Sequence, residues 1–294
     1  MSTQDFLNAC LESMQSKSFY NDYHKSFRML RADSNALREI VYRLRYEVYC
    51  GENGMEIKAE SAESSALEQD SYDDRAQHYL LYHKGTDKVA GTIRVVMPRE
   101  DKPLHSFPIQ FICDHPLLHM EDKVTRFCEL SRLCMARDFR KRPGDGKLLP
   151  AYFDQDHDVQ IDAKTSVHYR RAIPFAPLGL LSAAFEGALD KGLTDCVCIL
   201  DTEQLYALQR IGLSYRVLGP RLDMGGPQQP VIFNIKHALD NMILQNAPCW
   251  EVVSDRGRLH LKANALEQNA WQDEMFDQRC MDMIFERLDL NNHR

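Results

Sequence analysis

Residues 125–135 read "TRFCELSRLCM", an apolar, strand-like run that carries Glu129 and Arg132 in its middle and Arg126 just upstream. A carboxylate withdrawn from water is a proton acceptor, and guanidiniums hold anions in paired hydrogen bonds. In a regular strand, residues three apart face opposite sides, so both side chains are buried only if each finds a partner. A β-bulge between them would turn both to one face, and bulges re-aim residues beside active sites. The partners available elsewhere are Arg45 in "RLRYEVY", Asp70 and Asp73 in "DSYD", and Arg94 in "GTIRVV". Two or three arginines with two aspartates and Glu129 make a paired polar cluster. Such a cluster is a costly way to fill a core, which favours a functional surface.

The elements that must position these residues follow from periodicity. Asp33, Ser34 and Asn35 offer N-caps to a helix whose apolar positions Leu37, Ile40, Val41, Leu44 and Val48 recur at helical spacing and which ends near Gly51. Residues 52–69 are acidic, Ser-rich and weakly patterned, and read as a mobile loop. Residues 78–84 and 88–98 read as a hairpin, and 124–136 as a third strand. The polar stretch 143–173 reads as an insertion. Beyond it a helix (177–192), a strand (194–200), a short helix (202–212) and a strand (229–235) alternate, and the chain from His237 is mostly helical. Residues 271–288 space Trp271, Met275, Phe276, Met283, Ile284 and Leu288 along one helical face. This order predicts an α/β (α+β) domain, a mixed sheet with helices on both faces, over residues 1–236. Residues 237–294 form a helical extension packed on the same domain.

Composition narrows the function classes. The chain has 294 residues, 44% of them hydrophobic, and a net charge of −7, which argues against a general nucleic-acid binder. No apolar run approaches the ~20 residues of a membrane helix. The start, "MSTQDFLNACLESMQ", does not read as a signal peptide. Nine cysteines without a CxxC pair suggest a reduced, cytoplasmic protein, and Pro116 between His115 and His119 removes them as a metal pair, so no metal site is expected. Against the acidic total, Arg137, Arg140, Lys141 and Arg142, with Arg170 and Arg171, form a local basic dock suited to an acidic partner.

The series "LRYEVY", "DSYD", "GTIR" and "FCELSRL" resembles, in order and spacing, the acyl-homoserine lactone autoinducer synthases. It is more similar still to the PEP-CTERM/exosortase-system-associated acyltransferases, a branch of the GNAT-type N-acyltransferases, through "ELSRLCMARDFRKR" (129–142), "PFAPLGLLSAAFEGALDKGLT" (174–194) and "IGLSYRVLGPRLDMGGPQQP" (211–230). The resemblance covers roughly residues 37–236. It implies a GNAT-like splayed central sheet, opening as a V between the strands at 124–136 and 194–200. It also implies transfer of a fatty acyl group to the amine of a small acceptor, such as an amino acid. The co-substrate would be an acyl-phosphopantetheine thioester, on acyl carrier protein or coenzyme A, with no permanently bound cofactor. Carried over by motif, Glu129, Arg132 and Arg94 are the catalytic candidates, with Glu129 as general base. Arg45, Asp70, Asp73, Phe127 and Ser131 are the substrate-binding candidates, and the basic run becomes a dock for acyl carrier protein. The chain departs from the pattern in its tryptophans, found only at 250 and 271, in Gly225 and Gln228, and in a poorly kept pyrophosphate loop after Arg140. The last of these favours a carrier protein as donor. A homoserine lactone synthase and a non-catalytic acyl-carrier or lipid-binding module are the alternative readings.

Overall fold

The structure, a computed structural model, describes residues 17–52, 66–140 and 175–268. The insertion at 143–173, the segment 271–288, and Lys141, Arg142, Arg170 and Arg171 lie outside the described residues, as does most of the loop expected at 52–69.

Helix α1 (Lys17–Ser26) leads into edge strand β1 (Phe27–Arg31), two elements the sequence pattern did not announce. Helix α2 (Asn35–Tyr46) starts where expected. The Ser34 hydroxyl accepts the Leu37 N–H at 3.3 Å, and a π-helical turn over Glu47–Glu52 follows the last turn. Strands β2 (Ala76–His83) and β3 (Lys88–Val96) form the predicted hairpin, and β4 (Phe127–Met135) is the charged strand. Next come α3 (Pro177–Leu189), β5 (Asp195–Asp201), α4 (Thr202–Arg210), the two-residue strands β6 (Arg216–Val217) and β7 (Leu222–Asp223), and β8 (Pro227–Asn234). Helices α5 (Ile235–Gln245), α6 (Ala247–Val253) and α7 (Arg258–Gln268) close the described chain.

The strands make one sheet in the order β1-β2-β3-β4-β5-β8-β6, with β7 on β8. All neighbours are antiparallel except β4 and β5. That parallel pairing joins Phe127–Glu129 to Asp195–Val197 and goes no further, although β4 runs on to Met135 and β5 to Asp201. The sheet is therefore open between the C-terminal halves of β4 and β5.

One face is apolar throughout. Leu81, Ile93, Val95, Cys128, Leu130, Cys196, Cys198 and Phe233 pack under α1, α3 and α5–α7, so the helices after β8 share the core of the sheet. Helix α3 lies close because its contact positions are small. A Cβ at Gly187 would collide with the Tyr79 hydroxyl and Gln77 Oε1, which are themselves hydrogen-bonded at 2.6 Å. The other face is divided. Around Phe127, Val197 and Ile232 it is covered by the loop between β3 and β4, through Phe107, Ile109, Leu117 and Leu118. Further along β3 and β4 it carries charge.

Gly187→Ala forces the helix off the sheet and is expected to cost about 1–3 kcal/mol, read as a lower urea midpoint at unchanged m-value.

Candidate active site

Strand register sets the charged face. His78 pairs with Arg94 and Arg94 with Ser131; in the next row Val96 pairs with Glu129 and Glu129 with Val197. Between Ser131 and Cys134 the chain has one residue more than its partner segment Thr92–Arg94, a bulge at Arg132–Leu133 rather than between Glu129 and Arg132 as expected, since Glu129–Ser131 stay in regular register with β3. Arg132 carries it with φ +53°, a left-handed conformation that costs an L-residue about 1–2 kcal/mol. The bulge turns Arg132 onto the face that holds Arg94.

There six charges close a ring. Arg45 reaches Glu68 through Nε and Asp73 through both terminal nitrogens, at 2.8 and 3.1 Å. Arg94 Nη1 lies 2.9 Å from Asp73 Oδ1 and 2.6 Å from Asp70 Oδ1. Arg132 Nη2 lies 3.2 Å from Asp70 and 2.9 Å from Glu68. Each guanidinium touches two carboxylates and each carboxylate two guanidiniums, so the three positive and three negative charges cancel. Arg45 and Asp73 are fully buried, while Asp70 and Arg132 form the rim open to solvent. Burial opposes the charge on Asp73, but hydrogen bonds from Arg45 and the charges of Arg45 and Arg94 outweigh it and hold the carboxyl at about 2. The same pairing holds Arg45 and Arg132 above their ordinary values against the cost of burial.

Glu68 corrects the sequence reading twice. It is buried rather than part of a loose acidic loop, and it, not Glu129, supplies the third acid of the ring. The one local signal is the apolar Leu67 beside it, which packs against α2 and β2.

Glu129 is left over. It is 3% exposed, and its Oε2 accepts the Ile109 N–H at 2.9 Å. Burial pushes its carboxyl up to about 7; the Ile109 bond and the charges of Arg94 and Arg132 pull the other way without restoring the ordinary 4.5. Half of such a group is unprotonated near neutral pH, the poise of a general base. Beside it Tyr72 lies between two guanidiniums, 5.0 Å from Arg75 and 6.0 Å from Arg94. Arg75 in turn binds the carbonyls of Met97, at 2.5 Å, and Ser106. Neither Tyr72 nor Arg75 was singled out in the sequence.

The other expected residues are dispersed. Ser131 Oγ accepts from Arg94 Nε at 3.0 Å, whereas Phe127 is buried in the apolar cluster. Arg126 joins the base of the β4–β5 pair, 3.8 Å from Asp195. Of the basic run, Arg137 is exposed, but Arg140 Nε is held by the Met135 carbonyl at 2.8 Å. Among the ring's buried guanidinium nitrogens, Arg94 Nη2 alone lacks a hydrogen-bond partner. Buried His78, whose imidazole also has no hydrogen-bond partner, sits 3.7 Å from Asp73 and is pushed by burial to about 4, so it adds no charge at neutral pH.

Residues 44–149 match the family model of the acetyltransferase (GNAT) domain, a span that contains the whole ring and Glu129. Among solved structures, TofI in a ternary complex with an inhibitor and MTA is 17% identical over 76% of this chain and 100% of its own, with a TM-score of 0.49. FeeM, an N-acyl amino acid synthase from uncultured soil microbes, is 12% identical over 74% of this chain and 96% of its own, at 0.49. BjaI, a CoA-dependent acyl-homoserine lactone synthase crystallised with SAM and isopentyl-CoA, is 18% identical over 82% and 99%, at 0.47. No curated protein matches the chain.

Two outcomes follow from the charge count. Arg45→Met leaves Glu68 and Asp73 each one partner short in a buried site, and is expected to cost about 3–5 kcal/mol in chemical denaturation. Glu129 behaves oppositely. Its native state holds a proton that the unfolded chain loses near 4.5, so the associated stability is full below that value and gone once pH has risen through about 7. Glu129→Gln should therefore gain thermal stability over the wild type as pH rises through that window; a difference that does not change with pH would contradict the assignment.

Proposed function

We propose, from the match of residues 44–149 to the acetyltransferase (GNAT) domain model, that the chain transfers a fatty acyl group from a thioester on acyl carrier protein to the amine of a small, carboxylate-bearing acceptor. The observation that carries this reading is Glu129: the carboxylate left outside a neutral ring, titrating near 7, on the strand whose far half parts from β5.

The opening between β4 and β5 is where the pantetheine arm and its thioester would lie. An ammonium cannot attack a thioester, and Glu129 would take the proton that frees the acceptor's lone pair, an effect worth ~10²–10⁴-fold. The amine nitrogen then bonds to the thioester carbon, the C–S bond breaks, and the departing thiolate takes up a proton. A main-chain N–H at the bulge is the proposed donor to the oxyanion. A free guanidinium beside Glu129 would grip the acceptor carboxylate with both prongs. Arg132 Nε and Nη2 and Arg94 Nη1 are committed to the ring, and the unpartnered Arg94 Nη2 is suited to a single-pronged contact. Attack is direct. Burial raises the Cys134 thiol to about 12, so it is a poor nucleophile at neutral pH.

A carrier protein is favoured over coenzyme A by the start of α3. Helix N-termini hold pyrophosphates with free N–H groups. Here Pro177 has none, and the Gly179 N–H is taken at 2.8 Å by the buried Tyr23 hydroxyl, which itself donates to the Ala176 carbonyl at 2.7 Å.

The test is mass spectrometry of lipid extracts from cells expressing wild type or Glu129→Gln. An N-acyl species present in the first and missing from the second supports transfer with Glu129 as base; identical extracts overturn it. With the acceptor in hand, kcat/KM should climb as pH rises through about 7, where Glu129 loses its proton. Arg137→Glu and added salt should each weaken use of the acyl carrier protein, and indifference to both would remove the dock.

A further inference from the structure

The loop between β3 and β4 contains a buried glutamine whose amide is fully used. Gln110 Oε1 accepts the Ser106 and Phe107 N–H groups, each at 2.8 Å, and Nε2 donates to the Pro103 and Leu118 carbonyls at 3.2 and 2.7 Å. A primary amide has two acceptor sites and two N–H donors, so none is left over. Four points spread over sixteen residues of an otherwise irregular loop are thereby tied to one side chain.

The next residue back delivers the result. Pro108 opens a 3₁₀ turn, Pro108–Phe111, and brings no N–H of its own; the Gln110 N–H is satisfied by the Phe107 carbonyl at 3.2 Å. The Ile109 N–H is the donor this turn leaves over, and Glu129 Oε2 accepts it at 2.9 Å. The Ile109 side chain is buried with Phe107 and Leu117 in the apolar cluster, which anchors the residue that carries this amide.

We propose that Gln110 is a positioning residue that sets the protonation midpoint of Glu129, by clamping the Ile109 amide onto one carboxylate oxygen. The clamp keeps Glu129 in one orientation and favours its charged form; without it, burial acts on the carboxylate with less opposition. The other groups that bear on Glu129 are Arg94 from β3, Arg132 from β4, Asp70, Tyr72 and Arg75 from the segment before β2, and the Cys198 thiol from β5. None of them belongs to the loop that Gln110 ties together. Its catalytic meaning rests on the reading of Glu129 as the proton acceptor, while the midpoint itself does not.

The experiment is a carbon-13 NMR titration of the full-length chain labelled at glutamate side-chain carboxyls, with the Glu129 signal assigned by its loss in Glu129→Gln. Two variants are compared with wild type: Gln110→Met, and a backbone ester that replaces only the Ile109 N–H with oxygen. The midpoint should rise by about one pH unit in each, and the acid limb of the acyl-transfer rate should move with it while the rate at high pH stays within a few-fold. If Gln110→Met does not fold, the ester, which keeps every side chain, decides. A midpoint that stays in place overturns the inference, even if the rate falls. A midpoint that moves while the acid limb stays put supports the clamp and instead sinks the reading of Glu129 as the base.

Discussion

Three guanidiniums and three carboxylates arranged in alternation are the constraint on which this face of the molecule depends. Any one of these ions alone would be too costly to withdraw from water, and a single pair inside a protein is often no gain over apolar packing. A closed ring changes the terms, because every charge has two opposite neighbours and the sum is zero. Its members come from α2, from the segment before β2, from β3 and from β4, so a correct ring exists only when those elements are all in place. Removing one member strands two others, which makes the arrangement a specifier of geometry more than a source of stability.

Neutrality of the ring decides the character of Glu129. Were Arg94 or Arg132 free to pair with it, Glu129 would be an ordinary ionised carboxylate. Because both are already shared between acids, it feels them only as partly cancelled charges, and burial becomes the largest influence. The apolar cluster on its other side, Phe127 and Val197 with Ile109 above, has the same effect by excluding water. Glu129 thus sits at the seam between the ionic and the apolar halves of one sheet face.

Much of this was legible from residue order. Strong alternation and turn residues gave the β2–β3 hairpin, β4, β5, β8 and the helices between them, and the conflict between an apolar strand and its embedded charges pointed to a bulge, though not to its place at Arg132–Leu133. Glu68 was hidden because its one local signal, the neighbouring Leu67, is slight, and its partners come from α2 and β4. The converse holds for Arg140: a basic run looks wholly solvated in sequence, and only the fold shows the Arg140 Nε turned back onto a strand-end carbonyl. Edge strand β1 has too weak an alternation to declare itself. Gln110 carries no charge, and its part emerges only when the loop is closed around it.

The bulge and the open sheet share a cause. To bring Arg132 to the ring, β4 inserts one residue opposite β3 and takes a left-handed turn there. An inserted residue bends its strand and adds local twist, and β4 cannot follow β3 through that bend while staying in parallel register with β5 on its other edge. Pairing between β4 and β5 accordingly ends at Glu129, ahead of the bulge. A strand end left unpaired inside a sheet is ordinarily a defect, because its amides and carbonyls need partners. Here the same insertion that completes the ionic ring opens the sheet beside Glu129, so the charge pattern and the shape of the proposed site are two results of a single extra residue.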